Sequence, residues 1–141
     1  MNIAIDFDGT CVTHDFPKVG KDIGAIPVLK KLIKHGHKLI LFTMRSDIEN
    51  PISDNPAIIP IGGNYLSDAM EWFHLNEIPV WGIQTNPEQS TWTTSPKAFA
   101  HIYIDDSALG CPLKYDTEVS NRAFVDWEKV EQILSERNFF K

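Results

Sequence analysis

The sequence predicts an α/β fold, a doubly wound parallel sheet, on three observations. Short apolar runs recur at residues 1–5, 38–42 and 101–104, each of strand rather than helix length. Amphipathic stretches with helical spacing lie between them, an alternation that calls for right-handed crossovers. Each run also finishes in polar, reactive side chains: Asp6 and Asp8, then Thr43 and Arg45, then Asp105 and Asp106. Open parallel sheets collect functional groups at these strand ends, beside the point where strand order reverses.

Taken in order, the first strand covers residues 2–6. A helix follows over 24–35, with Ala25, Val28, Leu29, Leu32 and Ile33 on its buried stripe. Pro27 sits in its opening turn and Gly36 suits its C-terminal cap. Lys30, Lys31 and Lys34 form the opposite, solvated face. After the second strand, residues 65–76 read as a helix with Leu66, Ala69, Met70 and Phe73 on one stripe. Residues 79–83 read as a strand, and Asp126 as the cap of a last helix that buries Val130, Ile133 and Leu134. Trp72, Trp81 and Trp127 fall inside elements and read as core. Trp92 reads as cover for the sheet edge, with stacking on a sugar or base as the alternative. Residues 46–64, rich in Pro, Asn, Asp and Gly, read either as a lid or as a packed surface loop.

The 141 residues are expected to form one domain, 1–141. A formal net charge of −6 argues against broad nucleic-acid binding, which needs clustered Lys and Arg. No apolar run approaches the ~20 residues that span a bilayer, and the chain opens on a core strand, so a cytoplasmic protein without membrane partners is expected. Cys11 and Cys111 lack metal or disulfide spacing and read as ordinary small residues.

Asp6-Phe7-Asp8-Gly9-Thr10 carries the most chemistry. In an extended strand residues two apart share a side, so Asp6 and Asp8 converge on one centre, Gly9 permits a sharp turn and Thr10 adds a hydroxyl. Like charges held this close call for a cation or a shared proton to relieve them, and magnesium is the natural relief. D-x-D-G also opens calcium loops, but the twelfth position from Asp6 is Pro17, where a glutamate is required.

With Thr43, Lys97 and the pair Asp105-Asp106 following in that order, the chain resembles the haloacid dehalogenase superfamily of phosphohydrolases over nearly its whole length. The family often has a proline after the motif lysine, whereas Pro96 precedes it here. The resemblance implies a Rossmann-like core and a magnesium-dependent phosphatase working through an aspartyl-phosphate. It implies Asp6 as nucleophile and Asp8 as general acid and base. The metal ligands it implies are Asp6, Asp105 and the backbone carbonyl of Asp8, with Asp106 orienting a metal-bound water. Thr43, through its hydroxyl and backbone N–H, and Lys97 would bind the phosphoryl group. Arg45 would fork onto the substrate or pair with an acid such as Asp47.

Family caps are inserted in the flap, here residues 11–21, or after the third strand, here 84–94, and neither stretch is long enough to fold as a cap. Capless members tend to take large substrates or to cap themselves by forming oligomers. His14, in the flap, is a candidate substrate contact. A sugar phosphate, linked to polysaccharides, is the first expectation for the substrate. The alternatives are a nucleotide or polynucleotide end, or a non-catalytic phospho-acceptor or binding module. The phospho-acceptor module uses similar residues in another order, with the acidic pair first rather than last.

Overall fold

The computed structural model describes residues 1–49 and 62–141. In chain order the elements are β1 (Asn2–Ile5), α1 (Ala25–Lys34), β2 (Lys38–Leu41), β3 (Asp47–Ile48), β4 (Gly63–Asn64), α2 (Tyr65–Leu75), β5 (Gly82–Ile83), β6 (Ile102–Ile104), β7 (Leu113–Lys114), β8 (Phe124–Val125) and α3 (Trp127–Glu136). Four strands form a parallel sheet in the order β5-β2-β1-β6, and β3-β4 and β7-β8 are short antiparallel pairs.

Local chemistry explains where the helices begin. The Asp22 carboxylate accepts the N–H groups of Gly24, Ala25 and Ile26, at 3.1, 3.1 and 3.3 Å, and so satisfies the open donors of α1. Asp126 accepts the Lys129 N–H and caps α3 as expected. The first turn of α2 is served from outside its own segment, because Asp47 accepts both the backbone N–H and the hydroxyl of Ser67. Those bonds hold the Asp47 carboxyl below its ordinary range.

Register sorts the strand residues by face. Ile3 pairs with Leu39 and Ile102, and Ile5 with Leu41 and Ile104, so these side chains share one face. They join a single core with Leu29 and Leu32 of α1, Ala69 and Phe73 of α2, and Val130 and Leu134 of α3. Ala4, Ile40, Tyr103 and Gly82 are registered on the other face. That face is covered by the segment 84–101, whose only helical piece is the 3₁₀ turn Gln89–Thr91. Tyr103 donates its hydroxyl to the Ala98 carbonyl, and Gly82 lies so close to Thr85 and Pro87 that a side chain there would collide.

The expectation of a doubly wound sheet is therefore met only in part. The parallel α/β architecture holds, but among the described residues all three α-helices contribute to the core on one face. Asn86-Pro87, Thr91–Thr94 and Ser95-Pro96 are poor helix formers, which accounts for an irregular second layer. The strand expected over 79–83 shortens to two residues at the sheet edge, as Pro79 has no N–H to give a ladder. Of the segment 46–64, read as either a lid or a packed surface loop, residues 50–61 lie outside the described residues. Trp127 is core, Trp72 is partly buried against it, and Trp92 is 65% exposed with its ring edge-on to Phe99. No helix among the described residues is long and apolar enough to cross a membrane.

Candidate active site

From β1 the chain steps outward through β2 to β5, then crosses to β6 on the other side of β1. The reversal lies between β1 and β6, and the Asp6 N–H donates to the Ile104 carbonyl at 3.0 Å to hold the two strand ends together. Asp6 leaves β1 there and Asp105 and Asp106 leave β6, and the three carboxylates bring oxygens within 4.8 Å of one another. The buried Thr10 hydroxyl lies 2.8 Å from Asp6 Oδ2 and 3.3 Å from Asp106 Oδ1, and it accepts the Asp106 N–H at 3.0 Å. Gly9 makes the turn possible. Its φ is +79°, and a Cβ there would meet both His14 Nε2 and Asp106 Oδ2.

Burial is the main cause that raises the Asp6 carboxyl, to about 7, and the neighbouring Asp105 and Asp106 add to it. The Thr10 hydrogen bond opposes the rise. A partly buried carboxyl crowded by two more acids is a fit for a hard cation, whose charge would relieve all three. Burial pushes the Cys11 thiol well up, consistent with an unreactive core residue, and raises Cys111 too.

Asp8 does not join this cluster through its carboxylate. β1 ends at Ile5 and the chain turns, with the Thr10 and Cys11 N–H groups both bonded to the Phe7 carbonyl. Asp8 instead faces Arg45, whose Nε and Nη2 donate to its two oxygens at 2.8 and 2.7 Å. The expectation that Arg45 contacts substrate is corrected here. Nη2 also donates to the Lys18 carbonyl, and Nη1 donates to those of Pro17 and Tyr65. All five guanidinium N–H groups are engaged and none is left for a ligand. Asp47, the other partner expected, serves α2 instead.

Thr43 also differs from expectation in one respect. Its backbone N–H donates to Gln84 Oε1 at 2.9 Å and is not free for a phosphoryl oxygen, although its hydroxyl stays at the strand end and accepts the Arg45 N–H. Gln84 Nε2 donates in turn to the carbonyls of Thr43 and Arg45. Gln84 follows β5 with φ +63°, a left-handed conformation uncommon for a side chain of this kind, and so prolongs the β2–β5 pairing with its own amide. Gln84→Glu keeps the shape but sets an acceptor against two carbonyls. It is expected to cost about 1–3 kcal/mol, read as a lower urea midpoint at unchanged slope.

Lys97 is exposed, with its ammonium 5.6 Å from the centre of the Tyr103 ring. Tyr103 and Asp6 line the same cleft, together with Phe42 and Asp105. Among the described residues Lys97 forms no ion pair with Asp6. Its backbone is held by the buried Gln89, whose Nε2 donates to the carbonyls of Ser95 and Lys97. On the other side of the cluster, His14 Nε2 lies 3.0 Å from Asp106 Oδ2. His14 comes from a small flap closed by the Thr13 N–H to the Lys21 carbonyl and by a bridge between Val12 and Asp22. Beyond it opens a polar cleft of about 330 Å³, lined by Thr13, Asp15, Thr117, Ser120 and Asn121.

No family model matches the chain, and no curated protein matches it. Among solved structures it is similar to one described as the structure of the conserved protein coded by a locus of Bacteroides thetaiotaomicron. The two are 28% identical, with a TM-score of 0.70, over 97% of this chain and 91% of that one. The likeness supports the α/β architecture, and that description states no activity.

Proposed function

We propose that the chain is a capless member of the haloacid dehalogenase superfamily that hydrolyses a phosphate monoester with magnesium. The convergence of Asp6, Asp105 and Asp106 at the reversal of strand order is the observation that carries this reading. Those three carboxylates would hold a magnesium ion, with the Asp8 carbonyl as the resemblance implies. When bound, the ion supplies positive charge to the phosphoryl oxygens.

An Asp6 oxygen attacks phosphorus, the bond from phosphorus to the alcohol oxygen breaks, and Asp8 gives that oxygen a proton. Water then adds to the aspartyl-phosphate while Asp8 takes a proton from it, which releases phosphate and restores both carboxyl groups. The Thr43 hydroxyl donates to the phosphoryl group and Lys97 adds charge from the Tyr103 side. Thr10 keeps Asp6 aimed through its hydroxyl. The polar cleft beyond His14 favours a hydroxyl-rich alcohol, hence a sugar phosphate.

The test is phosphate release from sugar phosphates, nucleotides, 3′-phosphorylated oligonucleotides and phosphopeptides, with magnesium or with EDTA. Metal-dependent turnover that is fastest on sugar phosphates is expected. Silence across the panel, from folded protein that binds magnesium, would replace the phosphatase reading with the binding module.

Magnesium binding should itself depend on pH. With Asp6 raised from 3.8 to about 7, the folded chain keeps a proton that the unfolded chain has lost between those values. That contribution to stability is complete below about pH 4 and fades as pH rises through 7. The ion must displace the same proton, so below pH 7 its affinity is expected to rise by up to about tenfold per pH unit. Thermal-shift titrations with magnesium at pH 5, 6, 7 and 8 check this.

A further inference from the structure

We propose that Arg45 is a positioning residue that fixes the Asp8 carboxyl and the flap as one unit. The inference rests on the phosphatase reading for its catalytic part only. Arg45 is 3% exposed, and its guanidinium lies 5.1 Å from the centres of both the Phe7 and the Phe16 rings. Phe7 belongs to the core and Phe16 to the flap, so the cation joins the two layers. Its plane is fixed by the two-point grip on Asp8, and its remaining donors hold the flap carbonyls of Pro17 and Lys18 and the Tyr65 carbonyl at the start of α2.

Two consequences follow. Asp8 cannot rotate without breaking two charge-assisted hydrogen bonds, and each of its oxygens keeps a second lone-pair position that can carry the proton the leaving group takes. The flap cannot lift without stripping carbonyls from the same cation. Acid orientation and flap closure are then a single event, set from inside the core, with no cap among the described residues to impose it.

Arg45→Lys retains charge and loses the planar fork. The distinguishing measurement is kcat on an alkyl phosphate against kcat on p-nitrophenyl phosphate, whose weakly basic leaving group departs without a proton. General acid help is worth about 10²–10⁴-fold. The expected loss for Arg45→Lys is therefore about 10²-fold on the alkyl ester and under about tenfold on the aryl ester, with KM little changed. Asp8→Asn should show the same pattern, and the double variant should add almost nothing to it. Independently of activity, trypsin should cut the Lys18-Val19 bond faster in Arg45→Lys than in the parent.

Equal losses on both esters would overturn the positioning role, and unchanged cleavage at Lys18 would overturn the link to the flap. If Arg45→Lys does not fold, Phe16→Ala serves instead, since Phe16 is 57% exposed. It should reproduce both effects at smaller size, and no effect on either would overturn the proposal. A parent protein that hydrolyses neither ester defeats the phosphatase reading, whereas the trypsin comparison still decides whether Arg45 holds the flap.

Discussion

Asp6→Asn is expected to abolish phosphate release, a loss of about 10³-fold or more, while leaving the fold intact. The replacement has the same shape. Its amide oxygen can still accept the Thr10 hydroxyl, and its NH₂ would face Asp105 and Asp106, which raise the parent carboxyl. What disappears is the nucleophilic oxygen. Because burial and two neighbouring acids oppose ionisation at this position, the neutral variant should also be more stable than the parent without magnesium at pH 8. It should gain less from the metal. A variant that is inactive, more stable when metal-free and less responsive to magnesium is the signature of a site that trades stability for reactivity. Phosphate assays and thermal midpoints with and without magnesium read all three parts. Retained turnover would move the nucleophile elsewhere.

The parts of this arrangement that the sequence announces are those fixed by strand ends and caps. Asp6, Thr43, Asp105 and Asp126 follow directly from where apolar runs stop, and the structure puts them at the ends of β1, β2 and β6 and at the start of α3. The direction in which a side chain turns after the strand has ended is not encoded in a period of two. Asp8 sits two residues beyond Asp6 and faces Arg45 because the backbone turns at Phe7. Gln84 carries no sequence signal, since an amide that completes a strand pairing depends on a left-handed backbone decided by tertiary contacts. The pairing of His14 with Asp106 spans most of the chain and needs Gly9 to let the ring approach. In the irregular layer over Tyr103, Pro87, Pro96 and the threonines between them argue against a helix without saying what replaces it.

Arg45→Met is expected to be the most destabilising of these changes, at about 3–5 kcal/mol, because it leaves one partner of a buried ion pair without the other. Methionine fills much of the space of the arginine stem and preserves contact with Phe7 and Phe16, so the loss measures the polar network rather than a cavity. The side chain of Arg45 is 1% exposed and that of Asp8 19%. Water can therefore reach the orphaned carboxylate in part, which places the effect nearer the lower bound. The carbonyls of Pro17, Lys18 and Tyr65 each lose the Arg45 donor as well, which adds to the loss. Adding Asp8→Asn removes the stranded charge but does not restore the three hydrogen bonds that Arg45 gave those carbonyls, so the double variant should recover part of the stability and not all of it. Urea unfolding of the parent, both single variants and the double variant gives the coupling energy. A cost under about 1 kcal/mol for Arg45→Met would match an exposed surface pair and contradict a buried clasp. A double variant no more stable than Arg45→Met alone would mean that the three carbonyl bonds, and not the pairing with Asp8, are what Arg45 chiefly provides.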